Sequence, residues 1–105
     1  MNTYTVQTRE RILSSAIKAV CTDRQQRYGH VEDNFRLVAK LWTDYFGEPF
    51  MPEDVGIMMA LLKIARIKTG TANEDNYVDL AGYAACAGEV ALRHSALQEA
   101  QEECD

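Results

Sequence analysis

The chain has 105 residues, a formal net charge of −5, and a composition that is 47% hydrophobic and 26% charged. That length suits a single domain, and so short a chain leaves much of its surface wet, which favours oligomerisation. The acidic balance excludes generic nucleic-acid binding, which draws on many Lys and Arg set against phosphates, but it leaves room for a local basic pocket.

Cys21, Cys86 and Cys104 are odd in number and far apart. They form no CxxC or Cys/His cluster, so neither a zinc site nor a disulfide framework is indicated, and a reducing cytoplasm (that of the host cell) is the expected setting. Residues 1–13 carry no apolar run of signal-peptide type. No stretch approaches the roughly 20 apolar residues that span a bilayer, so no membrane partner is expected.

Residues 1–6 read as a short polar lead-in. Thr8 suits an N-cap, with Glu10 placed in the first turn of a first helix. Ile12, Leu13, Ala16, Ile17 and Val20 recur at helical spacing and predict one apolar stripe. The pattern fades through residues 23–27, and Gly29 is a reasonable stop. A second helix begins near His30 or Val31, with Phe35, Val38, Leu41, Trp42 and Tyr45 marking its buried face. Gly47-Glu48-Pro49 ends it, because proline disfavours helix for the residue before it.

Pro52 opens a third helix, with Glu53 and Asp54 at its positive end. Val55, Ile57, Met58, Met59, Leu61, Leu62, Ile64, Ala65 and Ile67 follow with little polar interruption. A helix apolar on nearly every side is expected to be surrounded by protein. Gly70 closes it. Asn73 is a suitable N-cap for a fourth helix, whose Ala81, Gly82, Ala84, Ala85, Ala87 and Gly88 invite close approach of another helix. That small-residue face is the expected subunit interface, and the polar end, residues 98–105, is expected to fray. The fold class is thus all-α: a compact bundle of four main helices in one domain, 1–105, expected to be homo-oligomeric.

The chemistry concentrates where the third and fourth helices meet. Lys63 and Arg66 are three apart on one face; Asp75 and Asp79 are four apart, with Tyr83 one turn further on. Charges in an apolar layer cost several kcal/mol each unless paired, so these groups form either a structural ion-pair network or a ligand site. As a ligand site, Lys63 and Arg66 neutralise phosphate, Asp75, Asn76 and Asp79 take ribose, base or one cation, and Tyr83 or Tyr28 stacks. A second segment, Tyr28 to Phe35, adds Arg27, Tyr28 and Asn34 to the ligand set, with Arg24 just before it. His30 and His94 read as surface residues. Ser14, Ser15 and Ser95 have no base beside them, and no phosphate-cradling glycine loop is present.

The set Tyr28-Gly29, Asn34-Phe35, Ala39-x-x-Trp42, Asp54-Val55, Leu62-Lys63-Ile64-Ala65-Arg66 and Asp75-Asn76-x-x-Asp79-x-Ala81-Gly82-Tyr83 resembles a family of small phage and prophage proteins of unknown function. More distantly, the layout resembles the all-α MazG-type nucleoside triphosphate pyrophosphohydrolases. That likeness implies acids on facing helices that bind magnesium and position a nucleotide's phosphates, here Glu32, Asp33, Asp75 and Asp79. MazG-type enzymes carry Glu-Glu-x-x-Glu and Glu-x-x-Asp, for which this chain has Glu32-Asp33 and Asp75-x-x-x-Asp79.

Three functions follow as expectations. The first is a phage-derived binder that sequesters a phosphorylated nucleotide or nucleotide signal against host defence, with no cofactor required. The second is a magnesium-dependent pyrophosphohydrolase. The third is a helical protein-interaction adaptor in which the charged cluster is structural.

Overall fold

The computed structural model describes the backbone of residues 6–23 and 30–104, and the side chains of residues 8–22 and 30–103. Most of the described residues are helical, with no strand among them. The four expected helices are α1 (Val6–Lys18), α2 (Val31–Phe46), α3 (Pro52–Thr69) and α4 (Glu74–Cys104).

Helix α1 starts two residues before the expected cap, so Thr8 lies inside it and its first turn holds no acid. It runs into a π-helical turn, Ala19–Asp23. Ala16 is buried, but Leu13 and Ile17 of the expected stripe are exposed. The reason is that, among the described residues, α1 packs on one other α-helix, α4, and so buries only a narrow strip.

Helix α2 begins after His30, whose carbonyl accepts the Asn34 N–H at 3.2 Å. Phe35 and Ala39 are buried, with Val31, Val38 and Trp42 half-buried beside them. Leu41 and Tyr45, expected in the core, stand out in solvent, Tyr45 at 83% exposure. Gly47 stops the helix in the left-handed conformation (φ 75°) and returns its N–H to Thr43 O at 2.9 Å. Only glycine adopts that φ without a Cβ penalty. The chain then folds back: the Phe50 N–H reaches Thr43 Oγ1 at 2.9 Å, and the Trp42 and Phe50 rings meet edge-on at 5.8 Å.

Pro52 occupies the first turn of α3, as expected. Asp54 Oδ2 accepts the Met51 N–H at 2.8 Å, so the carboxylate satisfies a donor left free before the helix and sits at the positive end of its dipole. Asn73 caps α4 as predicted, its Oδ1 accepting the Asp75 N–H at 2.9 Å. Helix α4 spans 31 residues, and residues 98–103, where fraying was expected, continue it as exposed turns.

Helices α3 and α4 pack antiparallel, and their contact is the most extensive in the chain. Small residues permit it: a Cβ added at Gly56 of α3 would sit 2.7 Å from Ala87 Cβ of α4 and 2.9 Å from Phe35 Cε2 of α2. A Cβ added at Gly82 of α4 would sit 2.9 Å from Val20 Cγ1. Of the small residues of α4, Gly82 and Ala87 are thus buried within the chain, against the π turn and α3, while Ala84 and Ala85 are exposed. The core is correspondingly lean: Phe35, Ala39, Val55, Cys86 and Val90, flanked by Val20, Met59, Phe50 and Tyr83 among others.

Candidate functional site

Antiparallel packing of α3 on α4 brings Lys63 to Asp79, with Nζ 2.9 Å from Oδ2. Lys63 is the buried charged residue of the described chain, at 8% exposure. Its side chain retains only 10% of its accessible surface, whereas that of Asp79 retains 42%. The ammonium thus depends on one carboxylate, while that carboxylate keeps contact with water. The expected neighbours do not join them. Arg66 and Asp75 are exposed, and Arg66 forms no ion pair with a described residue. Asn76 is half-buried at the start of α4.

Two hollows lie along α4, and the smaller is bordered by Asp79 of this pair; Lys63 lines neither. The smaller, about 100 Å³, is lined by Ala19, Val20, Val78, Asp79, Gly82, Tyr83 and Cys86. The larger, about 490 Å³, shares Val20 and Cys86 with it and continues along α4 past Ala85, Glu89, Val90 and Arg93 to Cys21, His30, Val31 and Glu32. Together they form a groove along one face of α4. Asp79, Tyr83, Cys86, Val90 and Arg93 recur there at helical spacing, so a single helix face lines both hollows. Neither Cys21 nor Cys86 is in a disulfide.

The far end of the groove is polar. Glu32 bridges two guanidinium groups, with Oε1 3.1 Å from Arg36 Nη2 and Oε2 2.8 Å from Arg93 Nη1. Hydrogen bonding to Glu32, then its charge, raises the Arg93 pKa above its ordinary value. Glu89 stands on the same wall. Asp33 is exposed and lines neither hollow; Asn34 is half-buried and also lies outside both linings. Arg27 and Tyr28, with Arg24, lie outside the described residues.

Magnesium takes hard oxygen ligands, usually one or two carboxylates with waters. Among the described residues no group of three or more His, Cys, Asp and Glu comes together to hold a metal ion. Of the four acids implied by the MazG likeness, Asp33 and Asp75 face solvent, Glu32 is engaged by two arginines and Asp79 by Lys63. This donor set does not fit a multi-magnesium centre.

Sequence reasoning missed Glu89 and Arg93, although their spacing from Cys86 places all three on one helical face. It also read His94 as solvent-facing. Instead His94 is half-buried, with Nδ1 3.5 Å from Glu53 Oε2, and Glu53 Oε1 is buried without a hydrogen-bond partner. No signal near His94 in sequence could reveal this, because its partner lies one helix away, at the opposite end of α3 from Lys63.

The profile of a domain of unknown function, DUF6378, matches residues 11–91. The chain is 45% identical over 74 residues to the Gene 55 protein of Mycobacterium phage L5, covering 70% of this chain and 47% of that protein. It is 38% identical over 77 residues to the Gene 55 protein of Mycobacterium phage D29, covering 73% of this chain and 51% of that protein. The chain thus spans about half the length of these curated relatives. No solved structure matches it significantly. No helix among the described residues is long and apolar enough to cross a membrane.

Proposed function

The chain belongs to the DUF6378 family and is similar to phage proteins, and from that premise we propose that it binds a small phosphorylated nucleotide or nucleotide-derived signal in the groove along α4. The observation that carries this reading is the hollow bordered by Asp79, which shares Val20 and Cys86 with a larger cleft that reaches Arg93.

The lining suggests a division of labour. Val20, Cys86 and Val90 supply an apolar wall for a base, with Tyr83 beside it. Glu89 accepts hydrogen bonds from ribose hydroxyls. Arg93, already charged and oriented by Glu32, offers a planar fork to phosphate. Phosphate recognition therefore moves from Lys63 and Arg66 to Arg93, since Lys63 is committed to Asp79 and Arg66 lies outside the groove. The scattered acids favour holding a ligand over hydrolysing it, and a phage protein that holds a host nucleotide signal intact would sequester it.

Calorimetry with a nucleotide panel, including cyclic dinucleotides and ADP-ribose derivatives, with and without magnesium, tests the reading. At least one member is expected to bind, and Ala85→Phe, which fills the cleft from an exposed position, is expected to abolish that binding with the fold retained. Absence of binding across the panel refutes it for these ligands. Recovery of the ligand intact after long incubation with magnesium separates binding from hydrolysis.

A further inference from the structure

The outer side of α3 is apolar and uncovered. Ile57, Met58, Leu61, Leu62 and Ile64 are between 38% and 57% exposed, and Ala65 is exposed with them. The inner side already packs on α2 and α4 through Val55, Gly56 and Met59. Lys63, the one charge between Ile57 and Ala65, points inward to Asp79. A helix apolar on both sides is stable in water only with protein on both sides.

The shape of the chain agrees. Its radius of gyration is 16.3 Å, against about 13 Å for a compact domain of this length. Its accessible surface is 7938 Å², against about 5,900 Å² for a compact monomer of this mass. The outer side of α3 contributes to this surface, together with the exposed residues of α1 and α2 and the end of α4.

The outer face of α3 is also self-complementary. If two copies of α3 cross antiparallel at Leu61, Leu61 meets Leu61, Ile57 meets Ala65 and Met58 meets Ile64. The same register sets Asp54 opposite Lys68 of the other copy, at both ends of the interface. Asp54 and Lys68 lie on this outer side, and Lys68 forms no ion pair with a described residue. A charge-free apolar centre closed at each end by opposite charges, repeated by a twofold axis, is what an isologous interface requires.

We propose that the protein is a homodimer in which α3 packs antiparallel on α3 of a second copy about Leu61, with Asp54 and Lys68 pairing across the axis. The interface is the outer face of α3, not the small residues of α4. The proposal is independent of the nucleotide reading, because neither hollow uses these side chains.

Sedimentation equilibrium of the wild-type chain is expected to give twice the 11.8 kDa chain mass. Leu61→Glu is expected to raise the dimer Kd by about a thousandfold, because each dimer loses two leucines at the interface centre. Lys68→Glu is expected to weaken the dimer in a salt-dependent way. Should Leu61→Glu unfold the chain, Leu61→Cys in a Cys21→Ser/Cys104→Ser background gives a second reading. Mild oxidation should then yield a covalent dimer through position 61, while Leu37→Cys in the same background should not. A monomeric wild-type chain, whose α3 face would then belong to a different protein, overturns the proposal. So does a dimer that is indifferent to Leu61→Glu and fails to cross-link through position 61.

Discussion

Removing the two members of the Lys63–Asp79 pair should have unequal costs. In Asp79→Leu the ammonium of Lys63 stays in place with 10% of its side chain accessible and without its carboxylate. Breaking a buried pair from one side costs about 3–5 kcal/mol. The water reaching Asp79, whose side chain is 42% accessible, shields the pair, so about 2 kcal/mol is the expected loss. In Lys63→Met the remaining carboxylate rehydrates, and a flexible apolar side chain of similar length fills the buried position; the expected cost is about 1 kcal/mol or less. The double variant Lys63→Met/Asp79→Leu leaves no charge stranded and is expected to lie within about 1 kcal/mol of wild type. Urea unfolding of the four proteins measures this as a double-mutant cycle. For a chain of this size each kcal/mol shifts Tm by about 4–8 °C, so heating offers a second readout. Equal losses for the two single variants, or a double variant no more stable than Asp79→Leu, would refute the claim that Lys63 is the dependent partner. The same variants bear on function: if the groove holds a nucleotide at its Asp79 end, the double variant keeps its fold and loses affinity.

The glycines give a graded series. Gly88 has open space where a Cβ would go, so Gly88→Ala should stabilise by about 1 kcal/mol through helix propensity. Gly56→Ala meets the Ala87 Cβ at 2.7 Å and backbone Cα at 3.2 Å, and should destabilise by about 1–3 kcal/mol despite the same gain in propensity. Among the described residues Gly82→Ala meets the Val20 side chain and should fall between; thermal unfolding ranks the three. Glu74 accepts two hydrogen bonds from Arg11, which hold its pKa below the ordinary 4.5. A depressed folded pKa means stability present above the unfolded value and lost as pH falls through the folded one. Tm measured from pH 6 down to pH 3 should therefore fall slightly less in Glu74→Gln than in wild type, and equal slopes would show that the pair is screened out.

Much of the architecture was legible in local chemistry. Pro52 with Asp54, Asn73 and Gly47 act through their own backbone neighbours, so their roles follow from residue type and position. The antiparallel meeting of Lys63 with Asp79 was also legible, because a short turn after Gly70 leaves two consecutive helices few other ways to pack. Periodicity, by contrast, reports that a helix face is apolar but not what covers it. For this reason Leu41 and Tyr45 of α2 and Leu13 and Ile17 of α1 were expected in the core and stand in solvent.

What tertiary structure alone decided is which groups share a surface. Glu32 and Arg93 are 61 residues apart in sequence and hydrogen-bonded in space; His94 of α4 meets Glu53 of the neighbouring α3, with Nδ1 3.5 Å from Oε2. The small residues of α4 signalled close approach, and the fold places the π turn against Gly82 and α3 against Ala87 while leaving Ala84 and Ala85 exposed. Local propensity acts over one or two turns, so it sets the helices and their caps. The groove and the uncovered face of α3 depend on how those helices cross, and crossing is set by contacts between residues distant in sequence.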